Sequence, residues 1–205
     1  DISSNSKRLI GLYIKGNGTN RGDLTNNATI DFSNSLGSIG IYAPGGKATN
    51  KGRILVGKTD SIDPATGKTY VDTSKITYGI GMAADNGGHI INDSEIRIYG
   101  DKSIGMYGKG VGTTVENNGT IFLDGSRATA TNKIQSMIGV YVDEGATFVN
   151  RGDIRTADAY AGKDVGGTIK VNDNVSGLVG VAVMNGSTLE NHGNIDIDAN
   201  ESYGV

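Results

Sequence analysis

IGVYVDEGATFVNRGDIRT, from Ile138 to Thr156, holds the pattern on which the fold turns. It reads aliphatic-Gly-aliphatic-Tyr, then a variable polar turn, then Asn-x-Gly-x-Ile. Apolar residues alternating with polar ones mark short strands with one buried face. Asn150 and Gly152 are corner residues: Asn bonds its own main chain and tolerates left-handed backbone, and Gly accepts a positive φ. Inside that corner stands Arg151-Gly152-Asp153, a tripeptide that animal integrins recognise.

The same pattern recurs along the chain. IGIYAPGGKATNKGRILV (39–56) and IGMYGKGVGTTVENNGTIFL (104–123) are close copies, and IGMAADNGGHIINDSEIRI (80–98) and VGVAVMNGSTLENHGNIDI (179–197) are looser ones. A first copy opens at Ile10-Gly11-Leu12-Tyr13, and a last one begins at Tyr203-Gly204-Val205. In this reading Ile39 and Ile41 share the inner strand face, and Gly40 and Tyr42 share the outer one. A unit of two or three short strands cannot bury its own apolar face. Stacked units can, each Ile lying over the Ile of the next rung. Asn20, Asn50, Asn92, Asn117, Asn150 and Asn191 should then pile into a ladder of side-chain amides. The expected fold is all-β: a parallel β-helix of about six to seven rungs, three strands per rung, roughly 4.8 Å apart.

Spacing supports this. The repeat glycines Gly11, Gly40, Gly81, Gly105, Gly139, Gly180 and Gly204 lie 29, 41, 24, 34, 41 and 24 residues apart. The shortest interval suits one three-sided turn. Most of the variation falls after Ile-x-Ile and before the next Gly-x-Tyr, so insertions should mark one face of the solenoid, often the binding face. Medium, long and short intervals recur in that order twice, which suggests a higher unit of three rungs. The two long arcs cover about 57–77 and 155–178. Asp63-Pro64-Ala65-Thr66-Gly67 is turn chemistry and predicts a protruding hairpin. Gly166 to Val171 reads as a strand of the second arc.

Composition agrees with a turn-rich β protein. The 205 residues include 33 Gly, 2 Pro, 3 Phe and no Trp, with a net charge of −3. No basic block advertises nucleic acid, and no apolar run approaches the roughly 18 residues of a spanning helix. Cysteine is absent, which excludes disulfides and a thiol nucleophile.

Both Arg-Gly-Asp tripeptides, 21–23 and 151–153, are assigned to the Asn-x-Gly corner. The equivalent stretches, Lys51-Gly52-Arg53, Asn118-Gly119-Thr120, His192-Gly193-Asn194 and Asp93-Ser94-Glu95, vary freely around the glycine. Corner chemistry therefore accounts for the tripeptide without a receptor, and a tight corner lies flat where an integrin ligand protrudes.

The recurring IGMY and IGVY, with NNGTI, NRGDI and NHGNI, resemble passenger-domain repeats of large monomeric type V outer-membrane autotransporter adhesins, especially the fusobacterial type. The resemblance spans the whole chain as a texture rather than an active-site signature. It implies a right-handed β-helix carried to the bacterial surface, or released from it, by a C-terminal β-barrel outside this chain. It also implies attachment to host cells or to other bacteria through protein or glycan receptors. Lack of cysteine fits passengers that cross the outer membrane unfolded. Asp1 falls between strands and Val205 inside one, so residues 1–205 read as a single solenoid segment truncated at both ends.

The candidate binding residues are the tyrosine row, Tyr13, Tyr42, Tyr107 and Tyr141, with Ala83 and Ala182 in place of Tyr on the third and sixth rungs. The rings either stack a ligand or merely cover neighbouring glycines. The long arms add Asp63, Thr66, Lys68 and Tyr70 on the first and Tyr160, Lys163 and Asp164 on the second. A β-helix enzyme would need paired carboxylates or a metal site on one face. Asp196 and Asp198 share a strand face, but a calcium loop would want Gly where Glu201 stands. Asp85, Asp93 and Glu95 flank a corner, and His89 and His192 share no repeat position. No phosphate loop, Gly-x-Ser-x-Gly or His-Glu-x-x-His occurs. The expectation is a non-catalytic adhesin segment with no cofactor and no metal; a structural stalk and a carbohydrate-active enzyme are the alternatives.

Overall fold

The three recurring strand types form three parallel sheets in a computed structural model of the chain. It describes all residues except 7, 18–19, 58–60, 63–68, 71–78, 129, 131–132, 158–161, 164–168 and 171–173; for 20, 61–62, 69–70, 162–163 and 169–170 it describes backbone alone. A six-stranded glycine sheet joins Ile10–Tyr13, Ile39–Tyr42, Ile80–Ala84, Ile104–Lys109, Ile138–Asp143 and Val179–Val183. A six-stranded asparagine sheet joins Asp23–Asn26, Lys47–Asn50, His89–Asn92, Thr114–Asn117, Thr147–Asn150 and Thr188–Asn191. A seven-stranded isoleucine sheet joins Ile2–Ser3, Thr29–Phe32, Arg53–Val56, Glu95–Ile98, Thr120–Leu123, Asp153–Thr156 and Asn194–Asp196. Chain order runs from glycine to asparagine to isoleucine strand and back, and each strand pairs in parallel with its copy one rung on. The architecture is a parallel β-helix.

Register places like on like. Ile30, Ile54, Ile96, Ile121, Ile154 and Ile195 form one interior column. Ile41, Met82, Met106, Val140 and Val181 form another on the glycine sheet, and Ala48, Ile90, Val115 and Phe148 a third on the asparagine sheet. All but the partly buried Ile195 are at most 1% exposed. Each larger aliphatic so buried contributes roughly 1.5–3 kcal/mol, which no single rung could collect alone.

The inner face of the glycine strands differs from the expectation. Gly40 and Ile41 are both buried while Ile39 and Tyr42 are partly exposed, and the later copies repeat a partly exposed aliphatic followed by a buried Gly-aliphatic pair. The glycine therefore points inward and the first aliphatic outward, the reverse of a simple alternation. A Cβ on Gly40 would lie 2.6 Å from Ile54 Cγ2 and 2.6 Å from the Gly81 carbonyl oxygen. Gly81 meets Ile96 at 2.6 Å and Gly105 meets Ile121 at 2.7 Å in the same way. The Gly of one motif and the Ile of the other are thus two halves of one contact, and the two strands close on each other only because a side chain is missing.

The asparagine ladder exists with one correction. Asn26 donates to Asn50 at 2.8 Å, and the chain continues through Asn92, Asn117 and Asn150 to Asn191 with bonds of 2.8–2.9 Å. Asn50, Asn92, Asn117 and Asn150 are fully buried. Asn26, Asn50 and Asn92 also donate to the carbonyl two residues on. By backbone register the position opposite Asn50 belongs to Asn26 and not to Asn20. Gly16–Asn17 and Asn20–Arg21 pair antiparallel, an excursion that delays the first asparagine strand to Asp23. The first corner is Asn26-Asn27-Ala28, and Arg21-Gly22-Asp23 lies one strand ahead of it.

The corner glycines also have a different reason from the one expected. Gly52, Gly119, Gly152 and Gly193 are not among the residues with positive φ. Instead a Cβ on each would fall 2.0–2.1 Å from a carbonyl oxygen of the preceding corner. Left-handed backbone sits at the turn between glycine and asparagine strands, at Asn86-Gly87, Glu144-Gly145 and Asn185-Gly186.

In the long arcs, Ser61–Ile62 pairs antiparallel with Thr69–Tyr70, and Gly162–Lys163 with Ile169–Lys170. The first is the pairing of a hairpin, and Ile169–Lys170 falls within the stretch read as a strand. No helix is long and apolar enough to cross a membrane among the described residues.

Candidate functional site

Because the repeat glycine and the aliphatic after it both turn inward, two side chains per rung are left on the outer face of the glycine sheet. One is the first aliphatic and the other is Tyr or Ala. Parallel register aligns them into adjacent columns: Ile10, Ile39, Ile80, Ile104, Ile138 and Val179, beside Tyr13, Tyr42, Ala83, Tyr107, Tyr141 and Ala182. All four row tyrosines stand on this face as expected. Tyr13 is 53% exposed, and Tyr42, Tyr107 and Tyr141 are half-buried. None is wholly covered.

The alanines divide the row into two pairs. Tyr13 and Tyr42 have centroids 5.7 Å apart and planes tilted by 60°. Tyr107 and Tyr141 lie 5.8 Å apart at 21°, a stacked arrangement. Burial, and then the hydrogen bond that its hydroxyl donates to Asp85 at 2.8 Å, push the Tyr42 phenol up to about 12. Burial also raises Tyr107 and Tyr141, the latter with help from Asp143. These phenols are neutral donors at ordinary pH.

Against the stacked pair opens a cleft of about 420 Å³ lined by Lys102, Ile104, Tyr107, Ser136, Ile138 and Tyr141. Ile104 pairs with Ile138 and Tyr107 with Tyr141 across two rungs, so the lining is a two-by-two patch. Lys102 and Ser136 stand two residues before each Ile, at the rim. Lys102 has φ +59°, which turns the chain into the strand. Sequence reasoning found the two tyrosines; it missed Ile104 and Ile138 because it placed the first aliphatic inside, and Lys102 and Ser136 because they precede the repeat motif. The oversized Ile54, Ile96 and Ile121 opposite Gly40, Gly81 and Gly105 were the available signal that the glycines face in.

The arm residues Asp63, Thr66, Lys68, Tyr160 and Asp164 lie outside the described residues, and for Tyr70 and Lys163 the description is limited to the backbone pairing.

Several other charged groups are engaged in ion pairs or hydrogen bonds between rungs. On the asparagine sheet His89 Nε2 is 2.8 Å from Glu116 Oε1, and Arg151 is 3.4 Å from the other oxygen. On the isoleucine sheet Arg97 bridges Glu95 at 3.1 Å and the buried Asp124 at 2.7 Å, with its guanidinium 4.2 Å from the Phe122 ring centre. Asp93 accepts from Asn118, and Asp85 from Tyr42 and Asn86. His192 is exposed, 3.8 Å from Glu190. Among the described residues no three His, Asp or Glu side chains gather closely enough to hold a metal ion.

Comparison with known proteins adds one finding. No curated protein and no solved structure matches the chain. The family model of the BigA third pectate lyase-like domain matches residues 2–153, from the Ile2–Ser3 strand to the corner at Gly152. BigA is a surface protein, and the match points to a passenger-like domain of a bacterial surface protein. With well over half of its length matched, the chain belongs to the BigA third pectate lyase-like domain family.

Proposed function

We propose that this chain is a segment of a surface adhesin that attaches the bacterium to host cells or to other bacteria. It binds protein or glycan receptors through the outer face of the glycine sheet and the two long arcs. The observation that carries this reading is the row of paired tyrosines held outward beside a continuous aliphatic column. An apolar, aromatic strip on the outside of a solenoid contributes nothing to the interior, and such strips mark interaction surfaces. The family match and the resemblance to autotransporter passengers, the fusobacterial type in particular, support a surface display through a separate C-terminal barrel. No catalytic step is assigned: the carboxylates Asp85, Asp93 and Glu95 are each engaged in separate hydrogen bonds or ion pairs.

The test is a binding screen of the 205-residue protein against host cells, partner bacteria and a glycan array. Beside it run a variant lacking 57–77 and 155–178, and one carrying Ser at Tyr13, Tyr42, Tyr107 and Tyr141. Binding lost in the Ser variant places recognition on the tyrosine face, and binding lost in the deletion places it on the arcs. A protein that attaches to nothing is a stalk. That second reading is favoured by the ladder from Asn26 to Asn191, which stiffens the rungs along their axis. Release of sugar fragments from polysaccharides would overturn both in favour of an enzyme.

A further inference from the structure

We propose that the cleft across the fourth and fifth rungs binds a single acidic sugar residue, carboxylated or sulfated. This rests on the adhesin reading and narrows its receptor to a glycan at this position. The cleft, at about 420 Å³, falls within the roughly 300–1,000 Å³ typical of small-ligand sites.

Its chemistry has two parts. Ile104, Ile138 and the stacked Tyr107–Tyr141 pair present an apolar and aromatic surface. A pyranose ring has one face of C–H groups that such a surface covers, while its hydroxyl edge needs hydrogen-bonding groups. Ser136 supplies a hydroxyl, and Lys102 an ammonium with three donors. No ion pair holds Lys102 among the described residues, whereas Lys109 nearby is taken by Glu144 at 3.0 Å. A cation without an ion-pair partner among the described residues complements an anion here, since the rest of the lining is uncharged and the adjoining Asp101 accepts from the Gln135 amide at 2.8 Å.

An extended peptide is disfavoured by the same geometry. Peptides commonly add to a sheet through a free strand edge. The strand Ile104–Lys109 is already paired on both sides, with Ile80–Ala84 and Ile138–Asp143. Only side chains are on offer, and these suit a ring laid flat.

The frame occurs twice. On the first two rungs Ile10 pairs with Ile39 and Tyr13 with Tyr42, and Arg8 stands two residues before Ile10. Arg8 has φ +57° against +59° for Lys102. A cation thus recurs at one left-handed position before one Ile-Tyr patch, three rungs and roughly 14 Å away. Gly37 replaces Ser136 there and the rings are tilted, so the first copy is the poorer site.

Calorimetry and saturation-transfer NMR on the 205-residue protein decide the matter. The probes are methyl β-glucuronide, glucose 6-sulfate, neutral methyl β-glucoside and N-acetyltyrosinamide. The two acidic sugars should bind at least about tenfold more tightly than the neutral one, a difference of about 1.4 kcal/mol; their order tells carboxylate from sulfate. K102Q, which keeps the backbone constraint, should erase that preference, and K102R should restore it. I138S should weaken all sugars, and R8Q should leave the preference intact. Circular dichroism confirms that each variant is folded. Equal binding of neutral and acidic sugars, a preference unmoved by K102Q, tighter binding of N-acetyltyrosinamide, or no sugar binding would each overturn the inference. If the wild type still attaches to cells in that event, the adhesin reading survives; if it attaches to none, that reading fails separately.

Discussion

Gly152 stands at a corner of the solenoid, where a Cβ would lie 2.0 Å from the carbonyl oxygen of Gly119 in the rung before. Gly22 has the same neighbours in sequence, Arg and Asp. Its Cβ would meet the Cδ1 of Ile14 at 2.5 Å, the movable end of a side chain. One Arg-Gly-Asp is thus wedged between stacked backbones, and the other is the foot of a short antiparallel excursion that enters the first asparagine strand. A tripeptide does not determine its own setting in a repeat protein. The setting comes from which rung position it occupies, and that is decided by the residues that stack.

The sharpest way to break this comparison is to add one carbon at each glycine. G152A should cost about 3 kcal/mol, because backbone cannot yield as a side chain can. G22A should cost less than about 1 kcal/mol through an adjustment of Ile14. Urea midpoints followed by circular dichroism give both values; equal losses would mean that the two sites are equivalent after all.

Next in size is the ladder. Asn117 accepts from Asn92 and donates to Asn150 while fully buried. N117A removes one buried ladder bond from each neighbour, Asn92 and Asn150, and should cost about 2–3 kcal/mol. N20A, the residue beside the other tripeptide, should be within about 0.5 kcal/mol of wild type. A large effect at Asn20 would restore it to the ladder.

Tyr42 lies between these extremes, an outward residue tied across a rung to Asp85. Its phenol is raised from 10.0 to about 12 in the fold. The neutral form is favoured by folding, so its contribution is complete below pH 10 and is lost as pH rises from there through 12. Thermal scans should show Y42F less stable than wild type by about 1 kcal/mol at pH 8. The difference should shrink across pH 10–12, and one that grows with pH would contradict the assignment.

The smallest effects belong to the charged ends of the tripeptides. Asp23 is 3.7 Å from Lys47 and Arg151 is 3.4 Å from Glu116, all but Glu116 well exposed. D23A and R151A should each change stability by less than about 1 kcal/mol. Attachment to integrin-bearing cells should be unchanged in the double variant D23E and D153E. A loss there would make a receptor motif of one of them, and the single variants would say which.

The candidate site was half legible. The tyrosine row could be read from Gly-x-Tyr repeats, since period-two alternation places the ring opposite the inner aliphatic. Its companion column could not, because alternation fails at the glycine: Gly40 and Ile41 both turn inward and push Ile39 out. Lys102 and Ser136 stand outside any repeat motif, so nothing local flagged them.

The sequence by itself determined the β-helix, the parallel stacking of like residues and the ladder from Asn50 to Asn191. These follow from periodicity, and every rung restates them. Tertiary structure alone decided that Asn26 rather than Asn20 begins the ladder, that the corner glycines serve close backbone approach, and that Ile104 and Ile138 line a cleft. Each of those depends on the distance to a neighbour one rung away, 24 to 42 residues distant along the ladder, and no local pattern of residue types encodes such a distance.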